Sequence, residues 1–336
     1  MNLRELEKVL RGEPSFRLKQ VKKAIFKDLI QNWDEITTLP QNLRQKLSNK
    51  CSISELKAEK ILVSKDNQAA VKVLFKLKDG FKIESVLMRH VDGRRTVCLS
   101  SQAGCAMDCQ FCATGQQGFK RNLTSWEIID QVLYFARSLK KDKEKITNVV
   151  FMGMGEPFLN YDNVLETIKI FNDKDGFNLG ARHISISTCG ITEGIKKLAG
   201  EKLQVNLAIS LHAFNNELRD KLMPINEKYP IEKVLKAVDD YIEKTKRRVM
   251  FEYLMIDGVN DSPEQAEKLV KILKKPLYFV NLISFNPIGH SGFGPSPGWK
   301  IKKFKDILEK QGVDVTQRYR FGQEIKAACG QLAGEN

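Results

Sequence analysis

Apolar and polar residues alternate with two different periods along this 336-residue chain. Over about the first 65 residues the period is helical, since Phe16, Val21, Ile25 and Leu29 share one face of "SFRLKQVKKAIFKDLIQNWDEI" and lysines occupy the other. The next segment, "AVKVLFKLKDGFKIESVLMRH", alternates apolar and polar residues on both sides of "KDG", which is a hairpin signal. These patterns predict a small, basic accessory domain of helices plus a β-hairpin over residues 1–91.

From residue 92 to residue 336 the pattern changes to apolar strands that alternate with amphipathic helices. The six predicted strands are "TVCLSSQ", "ITNVVFMGMG", "RHISISTC", "LQVNLAISLH", "RVMFEYLMI" and "LYFVNLISFNPI". Such an order is typical of a parallel α/β sheet, either doubly wound or bent into a full or partial barrel. In each case we expect the catalytic and ligand-binding residues at the carboxyl ends of the strands. The Gly-, Ser- and Pro-rich segment 289–298 is the strongest candidate for disorder.

Composition narrows the class of protein. The chain is 42% hydrophobic and 29% charged, as expected for a globular protein, and it has no apolar run of the roughly 20 residues that span a bilayer. The first residues lack a secretory signal pattern, so we expect a cytoplasmic location. The net charge of +14 suggests a polyanionic partner such as nucleic acid, while a solvated lysine-rich surface remains the alternative.

Three closely spaced cysteines carry the most specific signal. Cys105, Cys109 and Cys112 form the pattern C-x3-C-x2-C after the first predicted strand of the series. Thiolates suit zinc or an iron–sulfur cluster, and a cluster with only three cysteine ligands keeps one iron open for an outside ligand. The amine and carboxylate of S-adenosylmethionine would complete that coordination. The alternative is a zinc knuckle with a distant fourth ligand, His90 or Cys98.

Several motifs together resemble a known family. "CAMDCQFC" looks like the cluster motif of radical S-adenosylmethionine enzymes, and "MGMGEP" resembles their glycine-rich segment. With "SLHAFNNELRDKLMPIN" and "AACGQL", the chain is similar over essentially its whole length to the RlmN/Cfr group of RNA adenine methyltransferases. The resemblance implies one [4Fe-4S] cluster per chain with three cysteine ligands, S-adenosylmethionine as cofactor, and a partial (β/α)6 TIM-like barrel.

The resemblance also implies a route for methylation. Cys329 takes a methyl group from one cofactor molecule, because an adenine ring carbon is not a nucleophile and a carrier is needed. A second molecule, bound at the cluster, yields a radical that activates this methyl group for addition to the ring. Cys98 then resolves the protein–RNA crosslink by a transient disulfide with Cys329. Glu84 matches the family's proton acceptor, although a solvent-facing hairpin carboxylate is the alternative for that residue.

Seven further residues match the family's cofactor contacts. By motif they are Gly155, Glu156, Ser187, Ser210, Leu211, His212 and Asn286. The resemblance assigns the first two to the amino end of S-adenosylmethionine. Cys51 and Cys189 match no motif role, so we expect both to be structural.

The expected partners are 23S rRNA, tRNA and an electron donor of the flavodoxin type, with the protein itself a monomer. The candidate RNA-binding residues are Lys120, Arg121, Arg318 and Arg320 near the inferred mouth, and Arg17, Lys19, Lys22 and Lys23 in the N-terminal helix. "GMGEP" and "QQGFKRNL" favour methylation at adenine C2 over the C8 product of the other branch of the group. A non-catalytic RNA-binding protein with a structural cluster is the alternative from another class.

Overall fold

The computed structural model describes residues 3–65, 69–289, 292–318 and 322–334. Its strands are β1 (Lys57–Val63), β2 (Ala70–Lys76), β3 (Lys82–Arg89), β4 (Arg95–Cys98), β5 (Gln102–Gly104), β6 (Phe119–Asn122), β7 (Asn148–Phe151), β8 (Ile184–Thr188), β9 (Asn206–Ser210), β10 (Val249–Met255), β11 (Tyr278–Ser284) and β12 (Val315–Gln317). Its α-helices are α1 (Leu3–Val9), α2 (Phe16–Lys23), α3 (Gln41–Lys50), α4 (Ala113–Gln116), α5 (Ser125–Lys141), α6 (Tyr161–Asn172), α7 (Thr192–Gly200), α8 (Asn216–Leu222), α9 (Ile231–Thr245), α10 (Pro263–Leu273) and α11 (Gly298–Lys310).

The six predicted parallel strands are confirmed as β4 and β7 to β11. They lie side by side in chain order, and β12 adds a short seventh parallel strand beside β11. A doubly wound sheet reverses its strand order at a switch point, and this sheet does not. The strands follow one another in chain order, as they do in a partial barrel, in which the helices cover only the outer side of the sheet.

The N-terminal hairpin continues the same sheet. Strand β3 pairs antiparallel with β4, so that Val86 lies opposite Cys98. The helical interpretation of residues 1–65 is wrong for β1, which pairs with β2 at the edge of the sheet. Ile61 and Val63 in β1 are exposed, and no residue of this strand is buried, so its hydrophobic period was too weak to identify it.

The N-terminal helices pack against α5, which begins at the predicted capping box of Thr124 and Glu127. The helical period that starts in α2 extends through a π-helical turn and ends where Leu29 adopts a left-handed backbone conformation, φ 59°. The buried carboxylate of Asp130 on α5 accepts hydrogen bonds from the backbone N–H groups of Glu55 and Leu56, at 2.7 and 2.9 Å. Helix α5 therefore fixes the chain as it leaves the N-terminal helices.

The Gly-rich segment 289–298 differs from the expected disorder. Pro295 forms a β-bridge with Ile256, and Gly294 accepts a hydrogen bond from the N–H of Asp257. Residues 290 and 291 lie outside the described residues. Among the helices that the structure describes, none is both long enough and apolar enough to cross a bilayer.

Candidate active site

The cysteine loop follows β4 and is shaped by backbone turns. Gly104 and Asp108 adopt positive φ angles of 70° and 49°, which turn the chain around Cys105 and Cys109. Cys112 ends the loop as the residue before α4. Burial raises the pKa of Cys105 to about 12 and the pKa of Cys109 well above its usual value, so both are thiols until a metal displaces their protons.

The three thiols line one cavity at the carboxyl ends of the strands, together with Gly155, Ser187 and Ser210. We call this the upper cavity. Within the described ranges, no group of three or more His, Cys, Asp or Glu side chains is arranged around a single metal ion, as a zinc knuckle requires. The ligands of an iron–sulfur cluster need not converge on one point, because each thiolate binds a separate iron. Three soft donors around one cavity, of which Cys105 and Cys109 are buried and Cys112 is partly exposed, fit an iron–sulfur cluster.

Gly155 brings its backbone to the edge of this cavity. Its φ is 98°, and a Cβ atom at this position would lie 2.5 Å from the Cβ of Gln102. The buried carboxylate of Glu156 is already engaged, since its oxygens accept hydrogen bonds from the N–H groups of Cys189 at 2.7 Å and Phe158 at 2.9 Å. Glu156 thereby ties the loop after β7 to the loop after β8.

Ser210 and His212 also line the upper cavity, whereas the side chain of Leu211 is fully buried and is not among the described residues that line it. The Nδ1 atom of His212 accepts a hydrogen bond from the N–H of Leu254 at 3.0 Å. Burial, with the nearby Arg219 and Arg318, lowers the pKa of His212 to about 3. His212 is therefore neutral at physiological pH, and the lone pair of its Nδ1 atom is occupied by the N–H of Leu254.

A second cavity, with a volume of about 500 Å³, lies inside the barrel and extends from the upper cavity toward the amino ends of the strands. We call it the lower cavity; its polar lining includes Thr96, Cys98, Asn148, Ser185, Asn281 and Gln317. The two cavities share four residues at their junction: Met152, Ile283, Arg318 and Cys329. The structure thus places Cys329 between the cysteine loop and Cys98. Asn286 lines the lower cavity and donates a hydrogen bond to the carbonyl of Cys329 at 3.3 Å.

Arg318 contacts the sulfur of Cys329, which the sequence did not predict. Its guanidinium lies 3.1 Å from Cys329 Sγ and 2.6 Å from a carboxylate oxygen of Glu252. Burial opposes the charge of Arg318, but Glu252 and Cys329 raise its pKa above the ordinary value. Glu252 was missed altogether, although a single acid inside the apolar strand "VMFEYLM" is a recognisable signal of a buried charge.

Glu84 lies under the C-terminal segment, at Ala333. It is buried, with a 2.8 Å ion pair to Lys72, and it accepts a hydrogen bond from the N–H of Ala333 at 2.7 Å. The solvent-facing alternative for this residue is therefore wrong. Glu84 is not among the described residues that line the upper or the lower cavity, and it borders a separate pocket under the C-terminal segment.

The remaining cysteines differ in placement. Cys51 is buried among the N-terminal helices, where its carbonyl accepts a hydrogen bond from the indole of Trp33. Cys189, expected to be structural, lines the upper cavity, and its sulfur lies 3.2 Å from the sulfur of Met107 in the cysteine loop. Burial raises the pKa of Cys189 well above its usual value.

The basic residues expected at the RNA surface are largely engaged with other groups. Arg121 forms ion pairs with Glu127 and Asp79. Four others contact groups of the chain: Lys22 pairs with Asp173, Lys23 with Asp28, Arg318 with Glu252, and Arg17 donates to Gln20 and Thr38. Lys19 and Lys120 are exposed, and Arg320 lies outside the described residues.

Comparison with known proteins identifies similar chains. Residues 99–271 match the radical SAM superfamily, and residues 1–53 match the ribosomal RNA large subunit methyltransferase N-terminal domain. A protein of Caldanaerobacter subterraneus subsp. tengcongensis named "Probable dual-specificity RNA methyltransferase RlmN" is 48% identical over 99% of this chain and 96% of its own length. A protein of the same name from Dictyoglomus turgidum is 46% identical over 98% of this chain and 94% of its own.

A solved structure has the same fold over the full length. The crystal structure of a radical SAM methyltransferase from Sphaerobacter thermophilus matches with a TM-score of 0.96 at 43% identity, covering 100% of this chain and 98% of that one.

Proposed function

The chain belongs to the RlmN family of the radical SAM superfamily, and from this membership we propose that it methylates C2 of an adenine in 23S rRNA and of an adenine beside the tRNA anticodon. The observation that supports this most directly is the position of Cys329. Its sulfur contacts Arg318 at the junction of a cavity lined by the three loop thiols and a cavity lined by Cys98. A methyl carrier needs this position.

The residues present fit the two cofactors of the family, a [4Fe-4S] cluster and S-adenosylmethionine. Cys105, Cys109 and Cys112 are assigned to the cluster, while Gly155, Ser187 and Ser210 offer backbone and hydroxyl groups to the other cofactor. When bound, the pair supplies an electron and a reactive methyl group.

The chain's own residues carry the methyl group and release the product. Cys329 acts as the nucleophile, because the guanidinium of Arg318 stabilises negative charge on its sulfur. After transfer to the ring, the Cys98 thiol gives up its proton and its sulfur attacks the Cys329 sulfur. An S–S bond forms, the bond between the Cys329 sulfur and the methylene carbon of the RNA adduct breaks, and its electron pair passes to that carbon. The carbon takes up one proton, equal to the one that the thiol released, and becomes the methyl group of the product. Glu84 remains our candidate for the ring proton, although it lies under the C-terminal segment in this structure.

The choice of C2 over C8 is supported by two features. Pro157 follows Glu156 in the "GMGEP" segment, and "QQGFKRNL" follows the cluster motif, as in the C2 branch. The relatives above carry the name of dual-specificity RNA methyltransferases, and the N-terminal match is to a large-subunit rRNA methyltransferase domain. We infer further a cytoplasmic monomer that takes electrons from a flavodoxin-type donor.

An anaerobic assay tests the proposed function. The protein is reconstituted with iron and sulfide and incubated with dithionite, S-adenosylmethionine and either rRNA or tRNA; digested nucleosides are then analysed by mass spectrometry. We expect 2-methyladenosine from both RNAs, none from Cys329→Ala, and wild-type yield from the control Cys51→Ala. An 8-methyladenosine product would show that the enzyme methylates adenine at C8 and not at C2. RNA binding without methylation would favour the non-catalytic alternative, and full activity of Cys329→Ala would refute the carrier.

A further inference from the structure

The lower cavity follows the barrel from one end of the strands toward the other. Along β7, Asn148 at the amino end and Val150 in the middle line the lower cavity, and Met152 just beyond the strand reaches the junction. On β8, Ser185 lines the lower cavity and Ser187, two residues later, lines the upper one. Alternate residues of a strand point to the same face, so the cavities are stacked along the strands.

The lower cavity is open at the amino ends of the strands. Three lining residues at the amino ends of β4, β7 and β8 are exposed or partly exposed: Arg94, Asn148 and Ser185. Gln317, the last residue of β12, also lines the cavity and is exposed. Its inner end is closed by Cys98 and Cys329. A molecule entering at the amino ends of the strands would therefore reach Cys329 from the side opposite the cysteine loop.

The lining suits a flat heterocycle with polar edges. The volume of about 500 Å³ falls within the range of small-molecule pockets, which combine apolar walls with a few polar groups. Met88, Val150 and Met152 supply the apolar walls. The side-chain oxygen of Asn148 accepts a hydrogen bond from the hydroxyl of Thr147 at 2.9 Å, which leaves one of its lone pairs for a ligand. Within the described residues, no hydrogen bond engages the side-chain NH2 of Asn148 or the side-chain amide of Gln317. Such amides recognise adenine by donating to a ring nitrogen and accepting from its amino group.

The amino ends of the strands also carry positive charge. Each of the six strands β4 and β7 to β11 is preceded within four residues by an exposed lysine or arginine: Arg94, Lys145, Arg182, Lys202, Arg248 and Lys275. Amino ends of parallel strands meet at one edge, so these cations surround one face, which we call the amino-end rim. Some pair with surface acids, but Lys145 and Lys202 form no ion pair within the described ranges. A phosphate backbone is the complementary partner.

We propose that RNA docks on the amino-end rim and that the target adenine enters the lower cavity, where Asn148 and Gln317 recognise it. This rests on the proposed function and locates its substrate. The base and the cofactor then approach Cys329 from opposite sides, so bound RNA leaves the cofactor side of the barrel clear.

A substitution that fills the lower cavity should block methylation of RNA without blocking S-methylation of Cys329. Ser185→Phe places a ring in the lower cavity and leaves the upper cavity's lining unchanged. We expect the S-methyl group on Cys329 to form as in the wild type, detected by peptide mass, while methylation of RNA is lost. Asn148→Asp is the second variant; it keeps the shape and replaces the amide donor with an acceptor, so we expect the same split.

A matched pair of charge variants tests the docking face. Lys143→Gln/Lys145→Gln removes two cations of the segment before β7, and Lys302→Gln/Lys303→Gln removes two exposed lysines at the carboxyl-end side, in the first turns of α11. We expect the first pair to weaken RNA binding and to reduce the salt-dependence slope by about one per lost phosphate contact. The second pair should bind as the wild type does.

The outcomes distinguish this inference from the proposed function. The inference is overturned if Ser185→Phe and Asn148→Asp, each with S-methylated Cys329, still methylate RNA at the wild-type rate. It is also overturned if the α11 pair weakens RNA binding and the rim pair does not. A wild-type protein that forms no S-methylcysteine and no methylated RNA contradicts the proposed function itself, whereas the binding comparison still reports which face the RNA uses.

Discussion

The guanidinium of Arg318 donates a hydrogen bond to the sulfur of Cys329, 3.1 Å away, at the junction of the two cavities. Glu252 holds the other side of this guanidinium at 2.6 Å, and Asn281 donates a hydrogen bond to Glu252 at 2.7 Å. A charge held in this way is pre-organised, so it can stabilise negative charge that develops at the sulfur without having to move.

Arg318→Gln should therefore slow alkylation of Cys329 by iodoacetamide. Loss of a charge-assisted hydrogen bond worth roughly 1.5–3 kcal/mol, about half offset by the greater nucleophilicity of a less stabilised sulfur, corresponds to a rate reduction of about 3- to 20-fold. Peptide mass spectrometry of timed samples measures the rate, and Arg11→Gln, an exposed arginine of the N-terminal segment, is the matched control. Equal rates in Arg318→Gln and the wild type would mean that the contact does not activate the sulfur.

Cys98 should be much less reactive than Cys329 in the RNA-free protein. Burial, and then the neighbouring Cys329, raises the pKa of Cys98 from 9.0 to about 12. The protonated thiol is not a nucleophile, so labelling should be very slow at pH 8 and should rise about tenfold per pH unit below the pKa. Timed labelling between pH 7 and pH 10 tests this. Labelling of Cys98 as fast as that of Cys329 at pH 8 would contradict it.

Replacement of Cys98 should trap the crosslinked species. Without a second sulfur, the S–C bond between Cys329 and the RNA has no nucleophile to cleave it, so Cys98→Ala should accumulate a covalent protein–RNA adduct during anaerobic turnover. A denaturing gel with labelled RNA detects the adduct. Cys51→Ala, which removes a buried thiol of the N-terminal helices, is the control that should turn over without it. Clean turnover by Cys98→Ala would refute the resolving role.

Local pattern was sufficient for the six parallel strands β4 and β7 to β11 and for the cysteine loop. The alternation of Ile and Ser in "RHISISTC" identifies β8, and C-x3-C-x2-C identifies the loop after β4. Strand β12 has only three residues, too few for a period to be recognised.

Contacts between distant parts of the chain were not predictable from local pattern. Arg318 was assigned to RNA as a basic residue near the inferred mouth, yet here it lies between Glu252 and Cys329. Leu211 was assigned to the cofactor by motif, but its side chain points into the core beside two residues that line the upper cavity. Ser210 and His212 face the cavity and Leu211 between them faces the core, because successive residues of an extended segment point to opposite sides.

Asp130→Ala should loosen the N-terminal helices from the barrel. The carboxylate accepts hydrogen bonds from the backbone of Glu55 and Leu56 and from the hydroxyl of Ser54, and the substitution removes the acceptor of all three donors. Since Ser54 is exposed and the two backbone groups are partly buried, we expect a total loss of about 1–3 kcal/mol. Urea denaturation measures the free energy of unfolding, with exposed Asp142→Ala as control. A change no larger than that of the control would show that Asp130 does not hold the two parts together.

Gly155→Ala tests whether the backbone after β7 must approach the upper cavity as closely as the structure shows. The positive φ alone costs an alanine roughly 1–2 kcal/mol, and Gly258→Ala, at φ 68° with open space around it, isolates that cost. At Gly155 the new methyl group would also lie 2.5 Å from Gln102, whose side-chain oxygen accepts a hydrogen bond from the N–H of Glu156 at 2.8 Å. Relief of the clash moves Gln102 and with it the loop at the cofactor side. We therefore expect weaker S-adenosylmethionine binding by reconstituted Gly155→Ala, measured by equilibrium dialysis, and wild-type affinity for Gly258→Ala. Equal affinities would show that the loop yields without disturbing the site.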